Sequence, residues 1–368
     1  MRLLSVRDLT VSFRSTDGLV QAVRGLSLDV DSGRTLGIVG ESGSGKSVAT
    51  LTLLGLTPGA HVTGSATFEG RELLGMEREE LRRLRGDRIA AVFQDPLSSL
   101  HPHYTVGWQI IELIRAHRPV SGRAARGRAV ELLSLVGIPH AERRVDDYPH
   151  QFSGGMRQRA LIAMALALDP ALVIADEPTT ALDATVQAQI LDLLTRLQRE
   201  MGMALIMITH DLGVIAGMAD QVLVMYAGRA VEVADRRTAY YQPHHPYTKG
   251  LLESIPSSSG ARGRLRPIPG QPPSLIRLPG GCPFHPRCTF AMDRCRSEEP
   301  PLLPVAGGTG HRSACWLPPD LIGLSDATEQ ARQDAAARGR TTTPAPGGVR
   351  SGDTSPGTTT GDDRKGAA

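Results

Sequence analysis

The apolar run Thr35-Leu36-Gly37-Ile38-Val39 passes without a break into Gly40-Glu41-Ser42-Gly43-Ser44-Gly45-Lys46-Ser47, and a helical pattern begins near Lys46. Few folds are open to a chain with this order. The glycines of G-x-x-x-x-G-K-[ST] let successive backbone N–H groups turn inward as an anion nest, at a helix N-terminus whose dipole also favours phosphate. The mechanism needs a strand before the nest and a helix after it, and both are present. Gly40, Ser42, Gly43 and Gly45 then form the cradle, Lys46 reaches the β- and γ-phosphates, and Ser47 reaches a Mg²⁺. The rival reading is a chance turn in a sequence with 40 glycines, and the strand–loop–helix context argues against it.

A second buried strand, Leu172 to Asp176, ends in the pair Asp176-Glu177. Adjacent carboxylates are usually a solvated surface pair. After a buried strand and before Pro178-Thr179, Asp176 can instead hold Mg²⁺ and Glu177 can polarise an attacking water. Alternation over residues 3 to 13 reads as a strand, as do Arg88 to Phe93 (ending at Gln94) and Ala204 to Thr209. Helical patterns cover Thr105 to about Pro139, the segment after Ser153, and Thr185 to Glu200. Strands alternating with helices imply a mostly parallel sheet covered on both faces, with a strand-free helical insert between Gln94 and Ser153. The two motifs together define a P-loop nucleotide triphosphatase core.

Further residues narrow this reading. Phe152-Ser153-Gly154-Gly155-Met156-Arg157-Gln158-Arg159, Gln94 at a strand end, Ala181-Leu182-Asp183 and Thr209-His210 occur in the order of the ATPase subunits of ABC transporters, which residues 1 to 255 resemble throughout. The resemblance implies roles for each. Phe13 stacks on adenine, Gln94 touches Mg²⁺ and the water, and His210 contacts the γ-phosphate. Ser153, Gly154 and Gly155 bind the γ-phosphate held by a partner subunit, and Asp183 crosses that interface. Alone, Phe13 would read as a core aromatic, Ser-Gly-Gly as a helix cap, and a single His or Gln as structural or surface.

Tyr148-Pro149-His150-Gln151, Phe93-Gln94-Asp95-Pro96-Leu97-Ser98-Ser99-Leu100 and His245-Pro246-Tyr247-Thr248-Lys249-Gly250-Leu251-Leu252 resemble the oligopeptide/dipeptide (and nickel) importer branch, although His101 stands where Asn is usual. That branch implies an α/β core with N-terminal antiparallel strands, a helical subdomain at about 95–158, and a small Cys-rich C-terminal module at 256–320. It implies ATP and Mg²⁺, a sibling ATPase, two integral membrane permeases and, indirectly, an extracellular solute-binding protein. Met156, where Gln is common, is typical of one of two sibling ATPases, so a heterodimer is expected. The location implied is peripheral, on the cytoplasmic face of the inner membrane. Import of di- and oligopeptides is the expected activity. The alternatives are a nickel or other small-solute importer, an exporter, and a non-transport ATPase acting on ribosome or DNA. Only 105 residues (153 − 47 − 1) separate Ser47 from Ser153, without sustained heptads, which argues against a DNA-type coiled-coil insert.

Composition adds exclusions. Forty-one basic against 38 acidic residues leave +3, too small a surplus to argue for nucleic acid, and 4% aromatics argue against a base-stacking surface. The longest apolar runs, Ala160 to Leu168 and Ala171 to Ala175, fall far short of the ~20 residues of a membrane span. The N-terminal segment, with Asp8 inside its alternation, does not read as a signal peptide. Residues 321–368 are expected to be a disordered tail, since from Ser325 onward they hold no aromatic and one branched aliphatic, Val349. The last quarter carries all four cysteines, Cys282, Cys288, Cys295 and Cys315. In a reducing cytosol disulfides are improbable there, and four thiolates suit either an iron–sulfur cluster or tetrahedral Zn²⁺. The setting around Cys282 and Cys288 resembles the C-terminal module of peptide-importer ATPases, some of which hold a [4Fe–4S] cluster; that cluster is the expectation, with zinc or free thiols as alternatives.

Overall fold

The computed structural model describes residues 1–180, 182–255, 267–305 and 310–318. The expected tail at 321–368 lies outside the described residues, as do 256–266, 306–309 and 319–320 within the Cys-rich segment.

Two sheets carry the architecture. The first has the order β2-β1-β4-β5, built from β1 (Arg2–Ser15), β2 (Gly18–Asp31), β4 (His61–Phe68) and β5 (Arg71–Glu72), all pairing antiparallel. The second adds β3 (Thr35–Val39), β6 (Ile89–Val92), β7 (Leu172–Asp176), β8 (Ala204–Thr209), β9 (Gln221–Tyr226), β10 (Arg229–Asp235), β11 (Leu303–Pro304) and β12 (Arg312–Ser313), in the order β11-β12-β10-β9-β3-β8-β7-β6. From β9 to β6 its neighbours run parallel.

The apolar runs of the central strands follow from coverage on both faces. On β8, Leu205 and Met207 pack into one core with the helices, while Ala204, Ile206 and Ile208 pack into a second core against the antiparallel sheet. β7 divides the same way, Val173 and Ala175 to one side, Leu172 and Ile174 to the other. Truncating a fully buried member such as Ile206 to Ala costs roughly 2–5 kcal/mol. In the helical insert, Val106–His117 and Gly122–Leu135 pack through Ile110, Leu132 and Leu133, all fully buried. No strand lies between Gln94 and Ser153 among the described residues.

The C-terminal segment joins the main sheet. β12 pairs antiparallel with β10 (Glu232 opposite Ser313), and β11 pairs with β12. Glu232, 1% exposed, is satisfied across this junction by the N–H groups of His244 (2.6 Å) and His245 (3.0 Å), with His311 Nε2 2.7 Å away.

Candidate nucleotide site

Parallel register assembles the site. Val39 is level with Thr209, Asp176 with Ile208, and Val92 with Ala175, so the residues that follow these strands emerge along one edge. This is the carboxyl edge, where open α/β sheets hold ligands. Glu41, Ser42, Gly43, Gly45, Lys46, Ser47, Gln94, Glu177 and His210 line a cleft of about 560 Å³ there, within the range of small-molecule sites.

The loop glycines are constrained in different ways. A Cβ on Gly40 would fall 2.3 Å from the Met225 carbonyl, so the backbone passes too close for any side chain. Gly45, the N-cap of the helix Lys46–Leu53, sits at φ 99° and would drive a Cβ to 2.2 Å from the Ala22 carbonyl. Gly43, at φ 80°, faces open space, so its need is conformational alone. Lys46 is buried, and its ammonium donates to the carbonyls of Gly40 (2.6 Å) and Glu41 (3.0 Å). Burial pulls its pKa down, against the opposing charges of Glu177, Asp176 and Glu41.

Three groups converge on Glu177. Its Oε2 accepts from Gln94 Nε2 and from Thr180 Oγ1, each at 3.0 Å, and its Oε1 lies 3.4 Å from His210 Nδ1. Glu177 holds a left-handed φ of 46° while its N–H bonds the Ile208 carbonyl at 2.9 Å. A non-glycine residue there is strained, and such strain clusters at functional sites. Asp176 has its pKa raised, first by burial, with the Ser47 hydroxyl and Lys46 opposing. Its Oδ1 is buried with no hydrogen-bond partner. A buried carboxylate oxygen without a donor, beside a hydroxyl, fits a hard cation with oxygen ligands.

The remaining expected residues stand elsewhere. Phe13 is half-buried on β1, packed against the core beneath the antiparallel sheet, and does not line this cleft. Ser153 caps the helix Gly154–Ala165, accepting from the Met156 N–H at 3.3 Å, and both Ser153 and Gly154 are exposed. Asp183 caps the helix Ala184–Met201 through the N–H groups of Thr185 and Val186.

The expected [4Fe–4S] cluster, and the zinc alternative, find no support among the described residues. Among the described residues no three His, Cys, Asp or Glu side chains are placed to share a metal ion. Burial pushes the Cys282 thiol up to about 11 and Cys315 up to about 12, and raises Cys288, with neighbouring cysteines adding to each shift.

Sequence reasoning missed two residues that grip the loop from outside. The Tyr247 hydroxyl accepts from the Glu41 N–H at 2.8 Å, and the Arg287 guanidinium forks onto the Glu41 carboxylate at 2.6 and 2.9 Å. The signal for Tyr247 was available in the His245-Pro246-Tyr247 segment; Arg287 has none, since its partner is 246 residues away.

Comparison with known proteins agrees with this geometry. The ABC transporter family model matches residues 23–180, and the model of the oligopeptide/dipeptide transporter C-terminal region matches residues 231–295. The oligopeptide transport ATP-binding protein OppD of Escherichia coli K12 is 51% identical over 317 residues, covering 86% of this chain and 93% of that protein. OppD of Mycobacterium tuberculosis is 54% identical over 316 residues, 85% of this chain and 51% of its own length. The dipeptide transport ATP-binding protein DppD of Bacillus subtilis 168 is 49% identical over 319 residues, 86% and 95% respectively. Among solved structures, a dimeric ATP-binding cassette, MJ0796, bound to ADP and Pi, aligns with a TM-score of 0.58 at 28% identity, covering 64% of this chain and 99% of that one.

Proposed function

The chain belongs to the ABC transporter family, among the oligopeptide/dipeptide transport ATP-binding proteins, and we propose that it hydrolyses ATP to energise import of di- and oligopeptides through a membrane permease pair. The observation that carries the reading is the convergence of Gln94, Thr180 and His210 on Glu177 at the mouth of the phosphate loop.

In this reading the N–H groups of the loop and Lys46 take the phosphates, and Lys46 exchanges its two loop carbonyls for phosphate oxygens. Glu177, held in one orientation by Gln94 and Thr180, orients the attacking water and takes its proton. His210, its side chain 61% exposed, is free to turn from Glu177 toward the γ-phosphate. Ser47, Asp176 and Gln94 would hold Mg²⁺, which when bound neutralises charge on the β- and γ-phosphate oxygens. Phe13 is assigned to the adenine.

Ser153, Gly154 and Gly155 lie outside the cleft of their own chain, which suits a role across an interface: the start of a twelve-residue helix presented to ATP held by a sibling subunit. Asp183 is assigned to the same interface, and Met156 favours a heterodimer. Gln94 joins the cleft to the helical insert, so closure of the dimer around ATP and opening after hydrolysis would move that insert against the permeases. The proposed parts are a cassette at 1–255, with its helical subdomain at 95–158, an extension at 256–320 and a tail at 321–368. Among the described residues no helix is long and apolar enough to cross a membrane, and we place the subunit peripherally on the cytoplasmic face of the inner membrane. A solute-binding protein outside the cell would hand the peptide to the permeases; nucleic acid has no part.

Liposomes holding the permeases, the sibling ATPase and this subunit should accumulate labelled di- or oligopeptide only when Mg-ATP is supplied on the subunit's side. Uptake of nickel without uptake of peptide would replace the peptide reading with the small-solute one.

A further inference from the structure

The loop residue Glu41 is held by groups that lie outside the phosphate cradle. Its carboxylate takes both Nη atoms of Arg287, its N–H donates to the Tyr247 hydroxyl, and its carbonyl accepts from Lys46 at 3.0 Å. Arg287 is itself fixed. Its side chain is 4% exposed, its Nε donates to the Pro269 carbonyl at 2.8 Å, and Nη1 reaches the Tyr226 hydroxyl at 3.3 Å. The guanidinium also lies 5.8 Å from the Tyr226 ring centre and 6.0 Å from that of Phe284. It stands in the short turn His285–Arg287, between Cys282 and Cys288, and the start of that segment is tied down by the Cys282 N–H to Cys295 carbonyl bond at 2.8 Å.

A bidentate Arg–carboxylate pair fixes direction as well as charge. Its place also matters. Glu41 lines the cleft beside Lys46, where a triphosphate brings several negative charges. An unpaired carboxylate there would repel that ligand in a medium that screens poorly. Arg287 cancels the charge, while the Tyr247 hydroxyl and Lys46 hold the backbone of Glu41.

We infer that Arg287, carried by the C-terminal extension, neutralises Glu41 beside the phosphate cradle and so sets how tightly the loop takes up ATP. This rests on the nucleotide reading above. It assigns the extension a role at the ATP site that does not depend on a metal at the cysteines.

The test is ATP affinity of the full chain by calorimetry, with folding checked by thermal melting. Arg287→Ala leaves Glu41 unpaired near the phosphates and should raise the Kd for ATP roughly 10-fold, about 1.4 kcal/mol. Glu41→Gln removes the negative charge but leaves the cation beside the cleft, and should lower the Kd. In Arg287→Ala combined with Glu41→Gln, the Kd should return toward that of the unaltered protein. Arg287→Met, which keeps a stem between the two rings, carries the same expectation if the alanine variant does not fold. A contact that only holds the extension in place would shift both single variants in the same direction. That outcome, or an unchanged Kd in folded Arg287→Ala or Arg287→Met, overturns the inference. An unaltered protein that binds no ATP would instead overturn the nucleotide reading, and this inference with it.

Discussion

His245 shows how a single residue ties acid sensitivity to the fold. It is 1% exposed, its Nδ1 accepts from the Tyr247 N–H at 3.1 Å, and burial lowers its pKa from 6.5 to about 4, against the opposing charge of Glu232. The folded protein therefore keeps it neutral, while the unfolded chain binds a proton below pH 6.5. Its contribution is complete above that pH and is lost as pH falls through about 4, on the order of 3 kcal/mol in all. His245→Asn keeps an acceptor at the start of the helix Pro246–Glu253 and removes the titration, so the fall in melting temperature between pH 6.5 and 4 should become shallower. An unchanged slope would mean that other groups carry the acid sensitivity. At this scale the loop, Asp176, Glu177 and the strand-end residues were legible because chemistry follows a short apolar run. Glu232 was not, because a charged side chain inside a strand reads as solvent-facing until its distant partner His311 is known.

Elements were legible in proportion to how completely they are buried. β7 and β8 were placed at their observed limits, since strands covered on both faces are unbroken apolar runs. The β9–β10 hairpin went unread. Its two-residue turn needs positive φ twice and has it at Ala227 (47°) and Gly228 (80°), but it lacks the Asn-Gly or Asp-Gly that signals such turns. The helix Gly154–Ala165 invites a separation of local from interfacial roles. Ser153→Ala removes a cap and should cost about 1 kcal/mol of stability. If the helix start also meets ATP across a dimer, steady-state turnover in the assembled transporter should fall by ten-fold or more, well beyond what that loss of stability explains. Loss of stability with normal turnover would leave Ser153 a cap and nothing else.

Across the described residues, one edge of the main sheet holds the proposed chemistry, and the segment that carries Arg287 returns to it. β12 extends the sheet beside β10, and Arg287 reaches the loop at Glu41. The Cys-rich module expected at 256–320 marked a distinct segment, but no spacing rule could show that it closes on the first motif of the chain. The proposed function depends most on Glu177 as the group that activates water in a site that binds ATP by other means. The direct measurement is Glu177→Gln in the assembled transporter, with ATP affinity and steady-state hydrolysis recorded on the same preparation. The substitution keeps the side chain's shape and removes the base, so the ATP Kd should hold while turnover falls by roughly 10²–10⁴. Near-normal hydrolysis with ATP bound would contradict the account.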